Sequence, residues 1–185
     1  MNKIINPMRI SKIIVLLACI GTASRLVAGE APSLNSHLEP LRPLLGKTWK
    51  GAFSDSTPEK PVVDVSHWER ALNGQAVRAT HSINQGVYGG ETLFFWDEKK
   101  QAVVYYYFTT ASFMTTGTIE FKDGKILTHE DVKGDAGGVS EVRATSEILP
   151  AGTFHVKAEY LKDGQWKLGH EVTYKVDASS EVVFK

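Results

Sequence analysis

Val62 to Ile83 reads VVDVSHWERALNGQAVRATHSI, and the fold turns on how this stretch doubles back on itself. Asn73-Gly74 is the two-residue signature of a type I′ hairpin turn, whose backbone twist matches that of paired strands. Such a turn pairs Leu72 with Gln75, and with it Arg70 with Val77, Trp68 with Ala79 and Ser66 with His81. Side chains alternate across a strand, so Trp68, Val77, Ala79 and Ile83 share one apolar face. That face is expected to point inward, taking Asp64, Ser66, Arg70 and His81 with it. On the other face Glu69 opposes Arg78, a solvent-side ion pair worth at most about 1 kcal/mol.

The same pattern continues in both directions. Ten strands are expected, at 47–54, 62–72, 75–83, 91–96, 101–110, 114–122, 125–132, 139–149, 153–161 and 166–176. They are separated by turn formers such as Asp97-Glu98-Lys99-Lys100, Asp123-Gly124, Gly134 to Gly138, Pro150-Ala151-Gly152 and Asp163-Gly164. None of these gaps leaves room for a crossover helix, so the strands pair antiparallel with their chain neighbours. Ten short-looped strands are too many for an open sheet with two raw edges. The expected fold is therefore all-β, a closed antiparallel up-and-down barrel with a short N-terminal helix, and a two-sheet sandwich is the alternative. The helix belongs to Leu34–Leu45 (LNSHLEPLRPLL), where Pro40 and Pro43 rule out a long regular one.

Residues 1–28 read as a secretory signal peptide. Lys3, Arg9 and Lys12 precede the apolar run Ile13 to Ile20, too short to cross a bilayer, and cleavage falls after Ala23 or near Ala28. The domain order is then 1–28 signal, 29–46 lead-in and 47–185 barrel, in a periplasmic or secreted protein. Leu16-Leu17-Ala18-Cys19 also resembles a bacterial lipobox, with Leu17 where a small residue is usual, so lipid anchoring at Cys19 stands beside plain cleavage. Cys19 is the chain's single cysteine, which leaves the mature domain without disulfides or thiolate metal ligands. Losing Lys3, Arg9, Lys12 and Arg25 takes Lys+Arg from 21 to 17 against 21 Asp+Glu, a net charge near −4. Nucleic-acid binders are normally basic on at least one face, which sets that class aside. No later segment is apolar enough for a membrane helix.

A second hairpin closes around Lys162-Asp163-Gly164. A three-residue loop with Gly164 in the bulge position pairs Tyr160 with Trp166, Ala158 with Leu168 and Val156 with His170. It puts Phe154, Val156, Tyr160, Trp166, Leu168, Val172 and Tyr174 inside, with His170 among them. The order of signal, short helix, Leu44-Leu45-Gly46-Lys47-Thr48-Trp49-Lys50-Gly51 and antiparallel meander resembles the calycin superfamily. That group includes lipocalins, fatty-acid-binding proteins and ten-stranded haem-binding nitrobindin-type barrels. Many lipocalins have Gly-x-Trp on the first strand; here two residues separate Gly46 from Trp49. The segment Gly169-His170-Glu171-Val172-Thr173-Tyr174 looks like the last strand of an uncharacterised family of secreted bacterial barrels. The resemblance implies a small-molecule cavity and carries over no binding residue.

The expected ligand is a small apolar or amphipathic molecule. Trp49, Trp68, Tyr106, Tyr160 and Tyr174 would line its site, with Arg70, His81 and His170 as polar anchors. Arg70 needs an anion if it is inside, either Asp64 or a ligand carboxylate. The competing class is an enzyme in which Asp64 orients His81 for acid–base work and Ser66 serves as nucleophile, although no nucleophile elbow is visible. The same three residues also suit a polar network ordering cavity water. A third class is a packed structural or interaction protein. His170 is the one haem candidate, but a lone imidazole among apolar neighbours is more often a hydrogen-bonded core residue. His129-Glu130-Asp131 cannot converge on a metal, because neighbours in a strand face opposite ways. No metal site is expected. The glycine-rich stretches at 86–90 and 134–138 read as rims of a cavity mouth. Strands 91–96 and 101–110 are apolar on both faces, so the lead-in 34–45 or a second copy of the chain is expected to cover the outer one.

Overall fold

The computed structural model describes residues 33–185; the signal, its cleavage site and Cys19 lie outside them. The described chain is a closed, ten-stranded, antiparallel up-and-down barrel preceded by a 3-10 helix. The strands are β1 (Lys47–Ala52), β2 (Val63–Ala71), β3 (Ala76–Ile83), β4 (Tyr88–Asp97), β5 (Ala102–Thr109), β6 (Met114–Lys122), β7 (Lys125–Lys133), β8 (Val139–Ile148), β9 (Phe154–Lys162) and β10 (Gln165–Val176). Each pairs with its chain neighbours, and β1 closes on β10 through Trp49 opposite Val176 and Lys50 opposite Lys175. Among the described residues no helix is long and apolar enough to cross a membrane.

The helix Ser36–Leu44 is 3-10 because Pro40 and Pro43 offer no amide hydrogens to an α-helical ladder. Three residues per turn put Leu38, Leu41 and Leu44 on one stripe, and all three are fully buried. Asn35 accepts from the His37 amide at its start, and the indole of Trp49 donates to the Leu44 carbonyl at its end. Gly46, at φ +68°, turns the chain into β1. The helix plugs the barrel end at which β1 begins, instead of covering the outer face of β4 and β5 as the sequence suggested. His37 stacks on Trp96 at that end, with ring centroids 3.5 Å apart. The outer face of β4 and β5 stays open at Phe108, which is 53% exposed.

The β2–β3 register is the expected one: Arg70 faces Val77, Trp68 faces Ala79 and Ser66 faces His81. Arg78 meets Glu69 at 2.9 Å on the outside and also Glu91 at 2.7 Å. The β9–β10 register differs. Asp163-Gly164 makes the shorter loop, Lys167 faces Tyr160, and the ladder slips by one residue between Leu168 and His170. This bulge at Gly169 sends Trp166 and Leu168 outward, Leu168 to 59% exposure, and returns His170, Val172 and Tyr174 to the inside.

Side chains fill the plugged half of the barrel. Trp68 stacks on Phe94, and Trp49 and Tyr174 both pack on Phe154, with ring centroids 5.4 to 5.8 Å apart. On the outer wall the C-terminal tail is fastened across β1 to β3. The Asp177 amide donates to the Thr48 carbonyl, and the Val183 amide donates to the Ser82 hydroxyl. Ser82 is 2% exposed and Val65, opposite it in the register, 7%.

Candidate functional site

Above the packed half the barrel holds a cavity of about 580 Å³. Phe53, Phe113 and Asp135 to Gly137 come from the loops at the far end from the helix, and Leu41 of the helix forms part of its floor. The 134–138 stretch is thus at the mouth, as expected. Gly86 instead packs beneath the carbonyl of Val183 in the tail.

β2 and β3 supply the first polar group. Asp64 is 2% exposed, and Tyr174 donates to its Oδ2 at 2.8 Å. Its Oδ1 lies 2.8 Å from His81 Nδ1, and His81 Nε2 lies 2.7 Å from the Tyr107 hydroxyl. Tyr107 in turn meets the Tyr88 hydroxyl at 2.8 Å. A continuous chain therefore runs from a carboxylate through an imidazole to two phenols. If His81 Nε2 accepts from Tyr107, Tyr88 donates to Tyr107; a proton on Nε2 reverses the first bond and frees Tyr107 to donate to Tyr88. Burial raises the pKa of the Tyr88, Tyr107 and Tyr174 hydroxyls, so all three remain neutral phenols near pH 7.

β7 supplies the second. Glu130 points inward and accepts from the Thr115 hydroxyl. Burial raises its pKa above the usual carboxylate range, and the Thr115 bond opposes that shift. The buried Tyr105 hydroxyl faces Glu130 and Thr128 without a well-aligned hydrogen bond to either. His129 projects outward from the same strand to Glu141 at 3.2 Å. The third group is on β9 and β10, where the Tyr160 hydroxyl meets His170 Nδ1 at 2.7 Å and Phe53 stacks on the imidazole at 5.1 Å. Burial lowers the pKa of His170 and raises that of Tyr160 to about 12.

Of the expected site residues, Asp64, Ser66, Trp68, His81, Tyr160, His170 and Tyr174 line this cavity. Trp49 does not; it is 2% exposed within the packed half. Arg70 is outside the cavity too, near the plugged end of β2, where its Nε donates to the Ser33 carbonyl at 2.5 Å. Tyr106 is on the outer face against Phe95, because Tyr105 and Tyr107 take the inward positions. Ser66 faces His81 in the ladder, yet its hydroxyl accepts from the Trp68 indole at 2.8 Å. Asp64, Ser66 and His81 therefore do not form a nucleophile–base–acid group, and the phenol of Tyr107 takes the place expected for Ser66.

Sequence reading missed Glu130, Tyr88, Tyr105 and Tyr107. A signal for two of these tyrosines, Tyr105 and Tyr107, and for the expected Tyr160 was available in glycines placed mid-strand, which mark close approach of another group. A Cβ at Gly90, Gly117 or Gly169 would fall within 3.0 Å of the ring of Tyr107, Tyr105 or Tyr160 respectively.

Haem is a poor match for this lining. His170 has one ring nitrogen oriented by Tyr160, as metal-ligating histidines do. The titratable lining, however, consists of Asp64, Glu130, Asp135, two histidines and tyrosines, with no Lys or Arg among the described residues to meet two propionates. No group of three or more His, Cys, Asp or Glu among the described residues converges to hold a metal ion.

No protein-family model matches the chain, and no curated protein does. Among solved structures it is similar to the crystal structure of Rv2717c from M. tuberculosis, with a TM-score of 0.59 at 12% identity. The match covers 78% of this chain and 99% of that one, and at such identity it is a likeness of fold.

Proposed function

We propose that this chain is an exported, calycin-like barrel that binds one small apolar or amphipathic molecule in its interior. The observation carrying this reading is a cavity of about 580 Å³ that is plugged at one end, opens at the other and is walled by Trp68, Phe94, Phe113 and Phe154. That volume falls within the ordinary range for small-molecule sites, roughly 300 to 1,000 Å³. Export is supported by the basic residues ahead of Ile13–Ile20. Native mass spectrometry of the mature protein, purified from its own compartment, tests both parts. The expected result is a mass beginning between Ala23 and Glu30, accompanied by a co-purifying small molecule. A protein that retains residues 1–23, or one that stays empty after incubation with lipids and aromatic amphiphiles, would contradict the corresponding part.

A second reading is favoured by one observation, the unbroken chain Asp64–His81–Tyr107–Tyr88. It would let the barrel move a proton to or from a bound molecule, as a general acid or base. His81→Gln separates the two readings. A carrier keeps its ligand unchanged in both proteins, whereas an enzyme returns altered ligand from the wild type and intact ligand from the variant.

A further inference from the structure

We propose that the cavity is selective for organic cations, taking a molecule whose protonated amine lies against Glu130 and whose apolar body lies on Trp68, Phe94 and Phe154. The inference rests on the binding reading above and adds the charge of the ligand.

Glu130 carries the argument. A carboxylate withdrawn from bulk water is strongly disfavoured unless a cation or several donors meet it. Here the Thr115 hydroxyl is its one well-formed donor. Asp64, by contrast, is already engaged by His81 and Tyr174. The residue's remaining exposed surface opens into the cavity, which offers no Lys or Arg among the described residues. When Glu130 is ionised, no described Lys or Arg of the cavity meets it, and a bound cation would supply the positive partner.

The surroundings of Glu130 suit an ammonium group. Tyr88, Tyr105, Tyr107 and Tyr160 line the same cavity, and the charge of Glu130 acts on the hydroxyls of all four. Their ring faces attract cations, and their oxygens accept from N–H donors. Asp135 adds a further negative group at the mouth, and burial holds His170 in its neutral form. A carboxylate ligand would add a further negative charge to this setting, with no described Lys or Arg in the lining to neutralise it. Arg70, expected to meet such a carboxylate, fails on position, since it is outside the cavity.

The test is displacement of the neutral dye Nile red by three competitors sharing one ring system: naphthylmethylamine, naphthylmethanol and naphthoic acid. At about pH 7.5 the amine is protonated and the acid ionised. The expected order is amine ahead of alcohol by about tenfold or more, with the acid weakest. In Glu130→Gln the amine should fall to within about threefold of the alcohol measured in the same variant. An acid that competes as well as the amine, or an amine preference that survives Glu130→Gln, would overturn the inference while leaving the binding reading intact. Failure of Nile red to bind the wild type would overturn the binding reading and this inference with it. Should Glu130→Gln not fold, the wild-type ranking alone decides the charge preference.

Discussion

Glu130 is where function and stability pull in opposite directions. Burial makes its folded-state pKa higher than its unfolded one, so the native protein binds the Glu130 proton more tightly. The stabilisation linked to that proton is complete below the unfolded value of about 4.5 and is lost as the pH rises through the folded one. At neutral pH the ligand-free protein thus pays for an ionised or reluctantly protonated carboxyl that Gln would not impose. Glu130→Gln should melt above the wild type near pH 7, with the gap closing toward about pH 4 in differential scanning calorimetry. A variant less stable than the wild type at neutral pH would show that Glu130 is held by favourable contacts and not exposed to an uncompensated cavity. In the sequence, Glu130 could be separated from His129 and Asp131 by alternation, but nothing nearby fixed which of them faced inward. Asp64, Ser66 and His81 were legible because Asn73-Gly74 set their register from a few residues away. What Asp64 Oδ2 and His81 Nε2 bonded to depended on Tyr174 and Tyr107, brought in from distant strands.

The bulge at Gly169 shows why a hairpin cannot be read from its loop alone. A three-residue loop keeps Tyr160 and Trp166 on one face and satisfies the alternation by itself. The chain instead takes the shorter loop and restores the alternation by inserting one residue further along β10. Glycine is needed there because the Tyr160 ring lies where a Cβ would be, and that ring position delivers its hydroxyl to His170. Gly169→Ala should cost about 1–3 kcal/mol in urea denaturation, the usual scale for overpacking. It should also weaken the Tyr160–His170 bond, seen as a rise in the His170 imidazole titration by NMR toward its unburied value. An alanine variant with unchanged stability and titration would mean that the bulge, and not the ring, sets the local structure. The lead-in was legible as a short helix because of its prolines. Its role as a plug was not, because the three-residue spacing of Leu38, Leu41 and Leu44 reveals a buried stripe without saying what it covers.

For the whole molecule, short loops and turn chemistry were enough to reach a closed ten-stranded barrel, since closure is how such a meander avoids raw edges. The open question was the inside, because strands apolar on both faces leave no alternation to read. Closure itself is uneven. The β1–β10 seam has two registered pairs and one isolated bridge, Phe53 to Val172, while β6–β7 has a ladder of nine pairs. Regions held by fewer bonds open at lower free energy. Native-state hydrogen exchange should therefore release the β1–β10 amides well before those of β6 and β7. Uniform protection around the barrel would contradict a weak seam and point to the tail and helix as sufficient clamps.

The central claim is that ligand occupies the interior and not the open aromatic face around Phe108. It is tested most directly by titrating Nile red into the wild type and into Ala144→Trp, which puts an indole where a methyl group now lines the cavity. Saturable one-to-one binding by the wild type, weakened about tenfold or more in a variant with the same far-UV circular dichroism, is the predicted result. Equal binding by both proteins would place the dye on the outer wall and contradict the account.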